Sequence, residues 1–249
     1  MGAKLPSILI VDDEVDTCAN LSDILTELGY DVDAAHEGLA ALELVQKKHY
    51  DIALLDLRMP GMDGLELYRR IKETSAGTAA LIVTAYSSGA TAQSAMAAGA
   101  RQIVSKPVDI GRLLALVQEA LDSPLLLVVD DDQDLCSNLW DVFHERGFRV
   151  QLAYDVAEAG KTLEQSEFQV VLLDMKLPGG SGHDVLKLVR ATNPQARTIV
   201  ITGYPSEMES RVHQALSEGA NAVAYKPFDM TSLLTQVTTF AQTTHHERP

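Results

Sequence analysis

The chain has 249 residues, with 35 Asp and Glu against 20 Lys and Arg, a formal net charge of −15 and 46% hydrophobic residues. That length allows one or two domains able to bury their own cores, and the acid excess argues against direct nucleic-acid binding, which relies on Lys and Arg neutralising phosphates. No run approaches the ~20 apolar residues of a membrane-crossing helix and no secretion signal opens the chain, so no membrane association is expected and the cytoplasm is the expected compartment.

Ser7–Val11 is an apolar run that stops at Asp12, and such runs suit a strand covered on both faces. Cys18, Leu21, Leu25 and Leu28 follow at helical spacing, and Gly29 suits the end of that helix. A short strand near 30–34 and a helix over 39–48 come next. Ile52–Leu55 is the third apolar run, and again it ends on an acid, Asp56. Met59-Pro60-Gly61 breaks the chain before a helix over 65–72. Leu81-Ile82-Val83 runs into Thr84, and a helix rich in small residues is predicted over 88–98. Its alanines suit close packing against a partner, or simply good helix propensity. Ile103-Val104 leads into Ser105-Lys106-Pro107, and a helix over 110–121 completes the pattern.

The pattern then repeats from Leu125 to Phe240. Ile10-Val11-Asp12-Asp13 recurs as Val128-Val129-Asp130-Asp131, Leu54-Leu55-Asp56 as Leu172-Leu173-Asp174, and Thr84 as Thr202, all at an offset of 118. Lys106-Pro107 recurs as Lys226-Pro227 at an offset of 120, so two residues are inserted after Thr202. A repeat this long means two copies of one fold, not a solenoid of ~20–50-residue units. The expected domains are residues 1–122 and 123–249, the second ending in a short polar tail from about residue 241. His245-His246 belong to that tail, which is expected to be disordered and not a metal site. Only Asp122-Ser123-Pro124 join the copies, a reach of roughly 10 Å that predicts a restrained inter-domain geometry. Cys18 and Cys136 sit at equivalent positions of different copies and read as buried apolar residues.

Five apolar runs alternating with five helices predict an α/β fold, a doubly wound five-stranded parallel sheet of flavodoxin-like type, twice over. Ligands of such sheets bind at the carboxyl ends of the strands, near the topological switch point. Asp12, Asp13, Asp56, Thr84 and Lys106 all lie at strand ends, as do Asp130, Asp131, Asp174, Thr202 and Lys226. Carboxylates ~4 Å apart repel by about 4 kcal/mol per pair at an effective dielectric of ~20. One acid must then stay protonated, or a cation must sit among them. Oxygen-only ligands favour a hard dication, Mg²⁺ or Mn²⁺. A dication, a lysine and a hydroxyl around one carboxylate form a phosphoryl-transfer arrangement with the carboxylate as nucleophile. Each part alone has a plainer reading: acids at a helix start, an ordinary strand threonine, a proline loop. Their recurrence in order, in both copies, favours the shared chemistry.

These motifs, Val-Asp-Asp, Leu-Leu-Asp-x-x-x-Pro-Gly, Thr-(Ala/Gly) and Lys-Pro, resemble those of the receiver domains of two-component response regulators, over nearly the whole chain. The resemblance implies that Asp56 and Asp174 accept a phosphoryl group from a phosphohistidine on a sensor histidine kinase or a histidine phosphotransfer protein. Asp13 and Asp131 would ligate Mg²⁺, assisted by Asp12 and Asp130 and by the backbone carbonyls of Arg58 and Lys176. Thr84 and Thr202 would turn toward the phosphoryl group, and Lys106 and Lys226 would hold one of its oxygens. Asp132 is read as a helix-start acid. Output would be altered contact with an unknown downstream protein, and a homodimer stays open. Two departures stand out. The aromatic residue usual three positions before the lysine is replaced by Ile103 and Val223, and Tyr225 on the other strand face is a poor substitute. Arg58, Lys176, Tyr86 and Tyr204 place bulky side chains where shielding of the acyl phosphate is expected. Other readings are a fragment of a hybrid kinase or of a regulator with an output domain, and a metal-dependent aspartyl-phosphate phosphatase. The latter usually needs an Asp where Arg58 and Lys176 stand.

Overall fold

The computed structural model describes residues 5–85, 89–203 and 212–246. The chain divides into two compact units, Met1–Ser123 and Pro124–Pro249. In the first, β1 (Ser7–Val11), α1 (Val15–Glu27), β2 (Asp31–Ala35), α2 (Gly38–Lys47) and β3 (Ile52–Asp56) lead to α3 (Gly64–Thr74). β4 (Ala79–Thr84), α4 (Gly89–Ala97), β5 (Gln102–Ser105) and α5 (Ile110–Asp122) follow. The sheet order is β2-β1-β3-β4-β5, with every pairing parallel. β1, β3 and β4 are buried at every residue, as continuous apolar runs under helices on both faces require. Alternation sends Leu9, Val11, Ala53 and Leu55 to a core with α2, α3 and α4. Ile8, Ile10, Ile52 and Leu54 go to the opposite core with α1 and α5.

The second unit repeats this with β6 (Leu125–Val129), α6 (Gln133–Glu145), β7 (Arg149–Ala153), α7 (Val156–Gln165) and β8 (Val170–Asp174). Then come a two-residue-per-strand hairpin, β9 (Lys176–Leu177) and β10 (Gly180–Ser181), and α8 (Gly182–Thr192). β11 (Arg197–Thr202), helical residues 212–217 as α9, β12 (Ala222–Tyr225) and α10 (Met230–His246) complete it. The order β12-β11-β8-β6-β7 is that of the first sheet, and its strands pair in parallel throughout. In both sheets the first strand of the unit has one neighbour from before and one from after the reversal of strand order. The switch point therefore lies between β1 and β3, and between β6 and β8.

Three details differ from the sequence expectations. Leu28 is 55% exposed: it is the C-cap of α1, and Gly29 at φ +90° turns the chain before the fourth helical contact can form. The tail expected from residue 241 continues as helix to His246. Leu233, Val237 and Ala241 form one buried stripe, and the hydroxyls of Thr235, Thr239 and Thr243 donate to carbonyls four residues back at 2.8–3.1 Å. The hairpin after Asp174 had no counterpart in the predicted pattern.

Candidate functional site

In each unit the strand ends deliver the same three acids to one place. Carboxylate oxygens of Asp12, Asp13 and Asp56 lie within 4.8 Å of one another, as do those of Asp130, Asp131 and Asp174. In each trio the first and third acids are buried and the second is exposed. Asp12 Oδ1 accepts the Glu14 backbone N–H at 3.0 Å, and Asp130 Oδ1 accepts that of Asp132 at 3.1 Å. The turn after the strand thus fixes the first carboxylate, and Asp132 also caps α6 by accepting the Leu135 N–H. Cys18 and Cys136 each donate an S–H to the carbonyl of that same first acid at 3.3 Å. Burial pushes their thiols up to about 11 and about 12, which leaves them structural.

The lysines arrive from the last strand of each sheet. The Lys106 N–H donates to the Thr84 carbonyl at 2.9 Å and the Lys226 N–H to that of Thr202 at 2.7 Å. Lys106 Nζ reaches Asp12 Oδ2 at 2.7 Å and Asp56 Oδ2 at 3.4 Å. Lys226 Nζ reaches Asp130 Oδ2 at 2.6 Å and Asp174 Oδ2 at 2.8 Å. Both Lys-Pro peptide bonds are cis. The repulsion anticipated among the acids is thus partly met by an ammonium held between two of them. Burial would lower the lysines, but the hydrogen bonds and charges of the flanking carboxylates leave both above their usual value. Burial raises Asp56 and Asp130 despite those lysines. A backbone N–H two residues on supports each third acid, Arg58 N–H for Asp56 and Lys176 N–H for Asp174, the latter at 2.9 Å. The side chains of Arg58 and Lys176 are exposed.

Thr84 and Thr202 are fully buried at the ends of their strands. The hydroxyl of Thr202 has no hydrogen-bond partner among the described residues, so a polar atom is left for an incoming group. Tyr86 and Tyr204 lie outside the described residues.

The model of the response regulator receiver domain matches residues 8–118 and again 126–238. The chain belongs to the response regulator receiver domain family. It carries two receivers in tandem. A response regulator receiver protein of Anaeromyxobacter sp. (strain Fw109-5) is 34% identical over 240 residues, covering 96% of this chain and 95% of that protein. Sporulation initiation phosphotransferase F of Bacillus subtilis (strain 168) is 36% identical over 114 residues, 46% of this chain and 92% of its own. Among solved structures, a CheY-like receiver protein of Methanospirillum hungatei JF-1 aligns with 32% identity and a TM-score of 0.47, covering 48% of this chain and 95% of that one.

Each receiver also depends on a glycine that motif reading passed over. A Cβ on Gly64 would collide with the carbonyl oxygen of Asp56, and one on Gly182 with that of Asp174. The helix after β3 or β8 can start against the backbone of that strand's last acid only if its first residue lacks a side chain. The signal was present: both glycines stand eight residues after the acid, in both copies. Where an aromatic is usual, Ile103 and Val223 are partly buried and pack against the receiver cores. Tyr225 is 41% exposed.

Proposed function

We propose that both receivers are phosphoacceptors in a two-component relay, with Asp56 and Asp174 taking phosphoryl groups from phosphohistidine on a sensor histidine kinase or histidine phosphotransfer protein. The observation that carries this is the lysine-bridged acid trio at the switch point, built twice with the same hydrogen bonds. A 36% identical relative whose name is that of a phosphotransferase adds support.

The carboxylate oxygen of Asp56 or Asp174 would attack phosphorus as the phosphorus–nitrogen bond to the donor imidazole breaks, giving an acyl phosphate. The backbone N–H two residues on holds one acceptor oxygen and so orients the other. Lys106 or Lys226, already beside the acceptor, would pair with a phosphoryl oxygen, and the buried hydroxyl of Thr84 or Thr202 would donate to another. The all-oxygen donor set fits Mg²⁺ or Mn²⁺. Asp13 and Asp131, the exposed acids, would ligate it, with Asp12, Asp130, the acceptors and the carbonyls of Arg58 and Lys176. When bound, the dication neutralises charge developing on the phosphoryl oxygens. Phosphorylation would change the receiver surface and thereby contact with a downstream protein. The relay would act in the cytoplasm; among the described residues no helix is long and apolar enough to cross a membrane.

Intact mass after treatment with acetyl phosphate and Mg²⁺ tests this. Wild type should gain two phosphates, and Asp56→Asn and Asp174→Asn one each. A chain that gains none, or whose mass gain survives both substitutions together, would refute the assignment.

A further inference from the structure

The two receivers hold their acceptor-side helices differently. In the first, the buried Tyr68 hydroxyl on α3 donates to the Gly99 carbonyl, just past α4, at 3.0 Å. In the second, Arg190 on α8 donates to the equivalent carbonyl, that of Gly219. The carbonyl held is common to both, and the donor differs. The second receiver adds another contact: His183 Nδ1, on the first turn of α8, lies 2.8 Å from Glu218 Oε2 at the end of α9. Gln214 donates to the other oxygen, Glu218 Oε1, at 2.7 Å. The side chains of His183 and Glu218 are only 13% and 27% exposed. The corresponding residues of the first receiver are Leu65 and Ala98, both apolar and packed on its core.

The added pair borders the phosphoacceptor site. A cavity of about 540 Å³ is lined by His183 and Gln214 together with Asp131 and Lys176. Lys176 is the residue whose N–H binds Asp174. A phosphoryl group at Asp174 would bring nearly two negative charges to this wall. That charge would act on His183 and Gln214, which line the same cavity and hold the two oxygens of Glu218. The Glu218 carboxylate accepts, so the hydrogen of this contact sits on His183 Nδ1. In this receiver, where Val223 replaces the usual aromatic, a polar contact beside the acceptor site thus joins α8 to the end of α9.

We infer that the His183–Glu218–Gln214 cluster is a latch that holds α9 in the unphosphorylated second receiver and is loosened by phosphorylation of Asp174, a device the first receiver lacks. The inference rests on the phosphoacceptor role proposed above.

The test uses the full chain carrying Asp56→Asn, so that only Asp174 can respond, with acetyl phosphate and Mg²⁺ as the probe. Phosphate uptake is read by intact mass, and backbone amide exchange is followed over residues 214–220. These amides include Glu218, Gly219 and Ala220, which donate to Gln214, Leu216 and Ala215. Phosphorylation should speed their exchange about tenfold, the scale of one charge-assisted hydrogen bond. His183→Leu and Glu218→Ala, which install the first receiver's residues, should take up the same phosphate but exchange fast from the start, with no further change. Equal uptake with a wild-type response in both variants, or no response in the parent, overturns the latch alone. No phosphate on any of the proteins overturns the acceptor role, and the latch with it.

Discussion

At the scale of the residue, each site is set against the stability of its own domain. Asp56 is driven into a buried crevice beside Asp12, and burial holds its carboxyl above the ordinary value of 3.8. Because the folded-state value is the higher one, the native state binds the proton more tightly than the unfolded chain does. Stability therefore falls as pH rises through that window, and the loss is complete above the folded value. Lys106 does not remove the cost, since it also serves Asp12 at 2.7 Å. Asp56→Asn should consequently stabilise the first receiver at neutral pH by about 1 kcal/mol, a typical single-site magnitude. The gain should vanish below pH 3.8, where the wild-type acid is protonated in both states. Excess Mg²⁺ should invert the order, stabilising wild type by mass action but not the variant. Thermal melts at two pH values, with and without Mg²⁺, provide the comparison. A variant less stable than wild type at pH 7 without metal would show that the acid supports the fold and is not strained by it.

At the scale of the element, the receivers solve one packing problem in opposite ways. Gly38 opens α2 in the first receiver, and a Cβ there would meet the Met62 side chain at 2.9 Å. In the second, the equivalent residues are Val156 and Gly180, and a Cβ on Gly180 would lie 3.1 Å from Val156 Cγ2. The bulk comes from the loop in one copy and from the helix in the other. Gly38→Val alone should overpack this contact and destabilise by about 1–3 kcal/mol. Met62→Gly introduced with it should restore much of the loss, a coupling readable in a double-mutant cycle by denaturant unfolding. Strictly additive effects would mean that the two residues do not share this space. Such exchanges explain what the sequence could and could not disclose. The apolar runs before Asp12, Asp56 and Thr84 declared buried parallel strands because both faces needed the same chemistry. The acids and lysines were legible because they end those runs in both copies. Nothing in a single run marks Gly64 or Gly182 as touching the carbonyl of Asp56 or Asp174, and Leu28 keeps helical spacing although Gly29 has already turned the chain. The β9–β10 hairpin is a local turn around Gly179 at φ +78° that a helix-and-strand pattern does not mark, whereas the His183–Glu218 contact is a tertiary outcome. The latter joins residues 35 apart with no shared motif.

At the scale of the whole molecule, the sequence repeat corresponds to two compact units, each with its own five-stranded sheet. Among the described residues, the cores of the first receiver draw on residues from Ile8 to Leu121, and the main core of the second on residues from Leu125 to Val223. Every described strand finds its sheet partners within its own unit. Each acid trio with its lysine is likewise assembled from one unit alone. A domain of this size can bury enough apolar surface to fold without disulfides or metals. Residues 1–123 and 124–249, produced separately, should therefore each unfold in a single cooperative urea transition, with a slope of about 1–3 kcal/mol/M. Each should take up one phosphate from acetyl phosphate and Mg²⁺. The only tryptophan of the chain, Trp140, is buried in α6 and stacked on His144 at 4.3 Å, so its fluorescence follows the second half directly. The first half can be followed by circular dichroism. A half that unfolds without cooperativity, or that folds but takes up phosphate only when the other half is added, would show that the two receivers are not self-sufficient and that one completes the site of the other.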